Sequence, residues 1–124
     1  MLLDSLQHER SMFVVVAGES GEVHGFATAE PASEPRVAEV RYVGVDPGCW
    51  RTGLGRMVLA RLAEELASAG FRSAQLLVYA DNHPARRLYE EMGWHWDRQE
   101  PSIHPRTGKP EVRYRLPLGG VQPR

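Results

Sequence analysis

The apolar positions of this chain change their period along its length, and each change marks an element. Met12 to Ala17 is an unbroken apolar run with the length and β-branched content of a buried strand. Glu19-Ser20-Gly21-Glu22 reads as a hairpin turn. Val23 to Ala29 returns as a second strand, with Val23, Gly25 and Ala27 on one face and His24, Phe26 and Thr28 on the other. Breakers between Pro31 and Pro35 precede a third strand, Val37 to Val45, in which Gly44 fits a bulge or a close backbone approach. The period then lengthens. Leu54, Val58, Leu62 and Leu66 recur at every fourth residue, Leu59 and Ala63 widen the stripe, and Gly70 suits a C′ cap, so a helix is predicted over 54–69.

Gln75 to Tyr79 is apolar on both faces, the pattern of a central strand covered on each side. A second helix is predicted from Pro84 to Met92, with Pro84 in its first turn and Gly93 at its end. Trp94 to Gln99 and Val112 to Leu118 would form a final strand pair, joined by a long connection over Pro101 to Pro110. Leu2, Leu3 and Leu6 allow a helical turn or two within residues 2–10, and residues 119–124 read as a frayed tail. The order β-β-β-α-β-α-β-β predicts an α/β fold, a mixed sheet with helices on its faces, in one domain over residues 1–118. A chain of 124 residues is long enough to bury a single core.

Composition narrows the function classes. A formal net charge of -1 carries no nucleic-acid footprint. Cys49 is the only cysteine, so no intrachain disulfide forms and a reducing compartment is expected. The run Met12 to Ala17 is too short to span a bilayer, and acidic Asp4 and Glu9 stand where a signal peptide would carry cations. The expectation is a cytoplasmic protein with no membrane and no nucleic-acid partner. His8, His24, His83, His95 and His104 lack metal-ligand spacing, so no metal is expected.

Two blocks carry chemistry. Val43-Gly44-Val45-Asp46-Pro47 ends a strand and leads through Gly48-Cys49-Trp50-Arg51-Thr52-Gly53-Leu54-Gly55-Arg56 into a helix. Glycines at a helix mouth let backbone N–H groups approach a phosphate, and the helix dipole favours the anion. The second block, Asn82-His83-Pro84-Ala85-Arg86-Arg87-Leu88-Tyr89-Glu90-Glu91-Met92-Gly93-Trp94, follows the strand ending at Tyr79.

Together the blocks resemble the GNAT acetyltransferase superfamily, over Val43 to Trp94. The first matches its pyrophosphate loop, Val-x-Pro followed by a Gly-x-Gly helix entrance. The second matches its Asn-x-x-Ala-x-x-x-Tyr-Glu-x-x-Gly-aromatic signature. The resemblance implies an acyl-CoA acyltransferase fold and transfer of an acetyl group from acetyl-CoA to a primary amine of a small molecule or protein. It places coenzyme A between the strand ending at Val45 and the strand ending at Tyr79, with the main chain of Val43 and Val45 pairing with the pantetheine arm.

Arg51, Thr52, Gly53, Leu54, Gly55 and Arg56 would wrap the pyrophosphate; otherwise they are helix-start glycines and solvated arginines. Trp50 stands where the family carries Arg or Gln. Asn82 would meet the pantetheine, a use compatible with capping a helix. Tyr89 would protonate the leaving thiolate, or serve as a core tyrosine. Glu39 is the implied base for the acceptor amine, or an exposed strand carboxylate. Arg86 and Arg87 would reach the 3′-phosphate or adenine side, or lie solvated on a helix. Trp94 and Trp96 read as core or dimer surface.

Family members carry another strand and one or two helices ahead of the strand at Met12–Ala17. Here residues 1–11 would have to supply them, which implies either an open acceptor cleft or one completed by a second subunit, as in a homodimer. The alternative from another class is an acyl-CoA-binding module without catalysis.

Overall fold

The computed structural model describes residues 12–17, 23–46 and 53–119. Its described strands are β1 (Met12–Ala17), β2 (Val23–Pro31), β3 (Val37–Val45), β4 (Ser73–Tyr79), β5 (His95–Ile103) and β6 (Pro110–Pro117). Helix α1 (Leu54–Ser68) lies between β3 and β4, and helix α2 (His83–Glu91) between β4 and β5. The strands form one sheet in the order β1-β2-β3-β4-β6-β5, antiparallel except where β3 meets β4. A parallel pair needs a crossover, and α1 supplies it. The mixed α/β sheet and the order of elements agree with the pattern in the sequence. The expected helical turn in 2–10, the turn at 19–22, the loop from Pro47 to Thr52 and the end of the tail lie outside the described residues.

Local rules account for most boundaries. Leu54, Val58, Leu59, Leu62 and Leu66 form the buried stripe of α1. Gly25 lets this helix press on the sheet, since a Cβ there would come within 2.9 Å of Val58 Cγ2. The helix ends at Gly70, whose φ of +98° suits glycine. Asn82 caps α2 by accepting a hydrogen bond from Ala85 N–H at 3.3 Å, with Pro84 in the first turn. Buried residues of both helices join Leu76, Val78, Val112, Tyr114 and Trp94 in one core. Among the described residues, both helices therefore pack on one face of the sheet.

Three expectations are corrected. The side chains of β4 are not covered on both faces: Ala74, Leu76 and Val78 are buried, while Leu77 is 37% exposed. Strand β5 continues to Ile103 because Ser102 and Ile103 pair with Glu111 and Pro110 after a bulge, which shortens the predicted connection to residues 104–109. The bulge in β3 is also not at Gly44. Thr28 pairs with Tyr42 and Ala29 with Val40, which leaves Arg41 as the extra residue. Gly44 sits in regular register opposite Phe26, and a Cβ there would come within 2.4 Å of the Phe26 ring.

The Arg41 bulge sits at the turning point of the sheet. Parallel pairing of β3 with β4 runs from Val37↔Ser73 to Val40↔Leu76 and stops immediately before it. Beyond that point β3 stays with β2 as far as Val45, and β4 stays with β6 as far as Tyr79. A bulge bends and twists its strand, so the two central strands part into a wedge.

Candidate active site

The wedge exposes two strand edges, Tyr42 to Val45 on one side and Leu77 to Tyr79 on the other, with no ladder pairing between them. Backbone donors and acceptors on such edges are satisfied by an extended, amide-bearing ligand as by an added strand. The side chain of Val43 packs against the core, which leaves its main chain to face the gap.

Helix α1 begins beyond the end of β3. Its N-cap, Gly53, has a φ of +87°, which other residues adopt only with strain. Among the described residues, no side chain caps this terminus, and no acidic residue lies in its first turn. The amides of Leu54, Gly55 and Arg56 are thus left without a side-chain cap at the positive end of the helix dipole, an arrangement suited to an anion. Arg51 and Thr52 lie outside the described residues. The guanidinium of Arg56 turns to α2, where it pairs with Glu91 and approaches Met92 Sδ at 3.7 Å. Gly55 brings the helices together: a Cβ there would come within 3.1 Å of Leu88 Cδ2.

On α2, Tyr89 is buried at 9% exposure, its ring near Trp94 and Tyr114. Burial pushes its phenol above the ordinary value of 10.0, so the hydroxyl keeps its proton. Arg86 is held inside the fold. It donates to Ala80 O at 2.8 Å and Tyr114 Oη at 3.0 Å, and its guanidinium lies 4.6 Å from the Trp96 ring centroid. The fully buried Tyr114 in turn donates to Glu90 Oε2 at 2.6 Å. This chain fastens α2, and Tyr89 with it, to β6. Burial and the Glu90 hydrogen bond raise the Tyr114 phenol, against a lowering by Arg86.

Glu39 lies on the opposite face of the sheet, two positions before the bulge. Gln75 Nε2 donates to its Oε1 at 2.7 Å, and Arg113 Nη1 lies 3.5 Å from the same oxygen. Gln75 Oε1 accepts from Arg115 Nη1 at 2.8 Å, and Arg115 Nε donates to Asp97 Oδ2 at 2.9 Å. The Gln75 amide is thereby fixed with its donor toward Glu39. The carboxylate faces a cavity of about 330 Å³ at the fork of the wedge, which Tyr42, Leu77, His104, Arg106 and Glu111 also line.

The structure thus places Tyr89 and Glu39 on opposite faces of the sheet, with the wedge open between those faces. Sequence reasoning missed Gln75, Asp97, Glu111, Arg113 and Arg115. A signal for three of them was present: Glu111, Arg113 and Arg115 alternate with Val112, Tyr114 and Leu116, which marks a polar strand face.

The sequence model of the acetyltransferase (GNAT) family matches residues 2–94. The chain belongs to this family. It is 38% identical over 79 residues to the mycothiol acetyltransferase of Streptomyces bingchenggensis, covering 64% of this chain and 26% of that protein. It is 44% identical over 66 residues to the mycothiol acetyltransferase of Kocuria rhizophila, covering 51% of this chain and 22% of that protein. The chain thus spans about a quarter of the length of these curated relatives.

Among solved structures, the ribosomal-protein-S18-alanine N-acetyltransferase of Escherichia coli superposes with a TM-score of 0.75 at 28% identity, over 94% of this chain and 75% of that one. The yncA protein of Salmonella typhimurium, described as an acetyltransferase and solved with its cofactor acetyl-CoA, reaches a TM-score of 0.81 over 99% of this chain and 73% of that one. At 23% identity the latter likeness concerns the fold alone.

Proposed function

We propose that this GNAT-family chain is an N-acetyltransferase that moves the acetyl group of acetyl-CoA directly to a primary amine. The parting of β3 and β4 after the pair Val40↔Leu76 carries this reading, because it opens a backbone-lined slot beside the strand that leads to the N-terminus of α1. The amides of Gly53, Leu54, Gly55 and Arg56, with Arg51 and Thr52, would hold the diphosphate, while the Arg56 guanidinium stays with Glu91. The main chain of Val43 and Val45 would pair with the pantetheine arm, and Asn82 would approach it from its capping position. Arg86, tied to Ala80 and Tyr114, acts in this reading by fixing α2 and touches no phosphate.

In this reading two titratable groups divide the proton transfers. The amine nitrogen attacks the thioester carbonyl carbon, the C–S bond breaks, and the sulfur leaves with its electron pair. Tyr89, which burial keeps protonated, donates a proton to that sulfur. Glu39 takes a proton from the amine through Oε2, since both of its described donors bind Oε1. Much of the rate gain comes from holding two reactants together in one slot. A module that binds acyl-CoA without catalysis is the less favoured reading, because the curated relatives are named as acetyltransferases. The lone Cys49 supports a cytoplasmic, reducing setting. Among the described residues, no helix is long and apolar enough to cross a membrane.

Calorimetric titration of acetyl-CoA into folded protein, followed by thiol release with an amine panel, tests the proposal. Saturable heat and amine-dependent release are expected. Heat without release from any amine would leave only the binding module standing.

A further inference from the structure

Two charges of opposite sign line the cavity at the fork and have no partner among the described residues. Glu111, half-buried on β6 opposite Tyr79, makes no side-chain hydrogen bond or ion pair there. Arg106 projects from the 104–109 turn and is likewise without an ion pair. The remaining charged groups of the cavity are engaged. Glu39 is held by Gln75 and Arg113, and Arg41 lies 3.6 Å from Glu30.

His104 organises the turn that carries Arg106. Its Nδ1 accepts from Arg106 N–H at 3.1 Å and Thr107 N–H at 3.2 Å, and its ring lies 5.5 Å from that of Tyr79. The proton of the neutral ring is therefore on Nε2. In the same cavity, Tyr42 and Leu77 present apolar surface, 64% and 37% exposed. A volume of about 330 Å³ matches a small molecule, at the low end of ligand pockets.

We infer that the acceptor is a free amino acid, or a similarly small amino-carboxylate, with an apolar side chain. Glu111 holds its ammonium beside Glu39 Oε2, which then takes the proton that frees the amine for attack. Arg106 binds its carboxylate, a charge-assisted contact of the kind that guanidinium makes well. Tyr42 and Leu77 receive its side chain. The inference rests on the acetyltransferase reading and specifies that reaction's second substrate. An amine without a carboxylate would leave Arg106 unmatched, and a peptide-bonded lysine would do the same.

The test compares three acceptors that share one side chain: leucine, leucinamide and 3-methylbutylamine. Acetyl-CoA binding is first verified by calorimetry, and thiol release is then followed at saturating acetyl-CoA. Leucine should exceed each analogue by about tenfold or more in kcat/KM. Arg106→Ala, on an exposed turn, should remove that preference by lowering leucine alone, and Arg106→Lys should restore part of it. Leucinamide or 3-methylbutylamine serving as well as leucine would overturn the inference. So would the absence of turnover with all three by protein that binds acetyl-CoA. Failure to bind acetyl-CoA at all would instead remove the acetyltransferase reading, and the inference with it.

Discussion

On the helix-covered face of the sheet, Ala27, Ala29, Leu76, Val78, Val112 and Tyr114 are buried against α1 and α2. On the other face, their neighbours Glu39, Gln75, Arg113 and Arg115 hydrogen-bond across three strands to one another and to Asp97. The same strands supply both, because alternate side chains point to opposite sides. The contrast separates two roles. Apolar burial on one side holds the fold, whereas an oriented polar chain on the other aims a single carboxylate at the fork. Substitutions should therefore divide into those that lower stability and those that lower turnover.

Tyr89 crosses this division, since it lies in the core and is assigned a chemical step. Tyr89→Phe keeps the ring and removes the proton, so kcat should fall by roughly 10²- to 10⁴-fold. Acetyl-CoA affinity, read by calorimetry, should stay within about twofold if the hydroxyl acts in the reaction step alone. Unchanged turnover would return Tyr89 to the core. Leu62→Ala, at a fully buried position of α1, should lower unfolding free energy by about 2–5 kcal/mol in urea titrations. Turnover per folded molecule should be retained.

The polar face should give the converse result. Gln75→Ala removes the donor that fixes Glu39, a hydrogen bond to a charged group worth about 1.5–3 kcal/mol. A fall in kcat/KM of roughly tenfold is expected, with a stability loss at or below the lower end of that range because Arg113 still reaches Glu39 Oε1. A large stability loss with unchanged turnover would erase the distinction between the faces.

The smallest effect concerns alkaline pH. Burial raises the Tyr89 phenol in the folded state, so above the ordinary value of 10.0 the unfolded chain loses its proton first. Stability should decline as pH rises through that region. Chemical denaturation at successive pH values should show a shallower decline in Tyr89→Phe. Tyr114, raised in the same direction, supplies the remaining slope.

Much of this architecture was legible in the sequence because it rests on local rules. The four-residue spacing of Leu54, Val58, Leu62 and Leu66 marks α1, and Pro84 and Gly93 bracket α2. The bulge was harder to locate. Glycine is the usual sign of an irregular strand, yet Gly44 makes room for the Phe26 ring while Arg41 forms the bulge without any compositional mark. The polar chain was illegible for a different reason. Glu39, Gln75 and Arg115 are far apart in the chain and meet only when β3, β4 and β6 acquire their register. The expectation that β4 is covered on both sides failed on the same ground: five residues show an apolar strand but not what lies over each face.

The tight junction where Gly55 admits Leu88, reinforced by the Arg56–Glu91 pair, has a mechanical corollary. On the proposed function, a diphosphate seated at the mouth of α1 would press, through this junction, on the helix that carries Tyr89. A bulkier residue at position 55 would push Leu88, and α2 with it, away from α1.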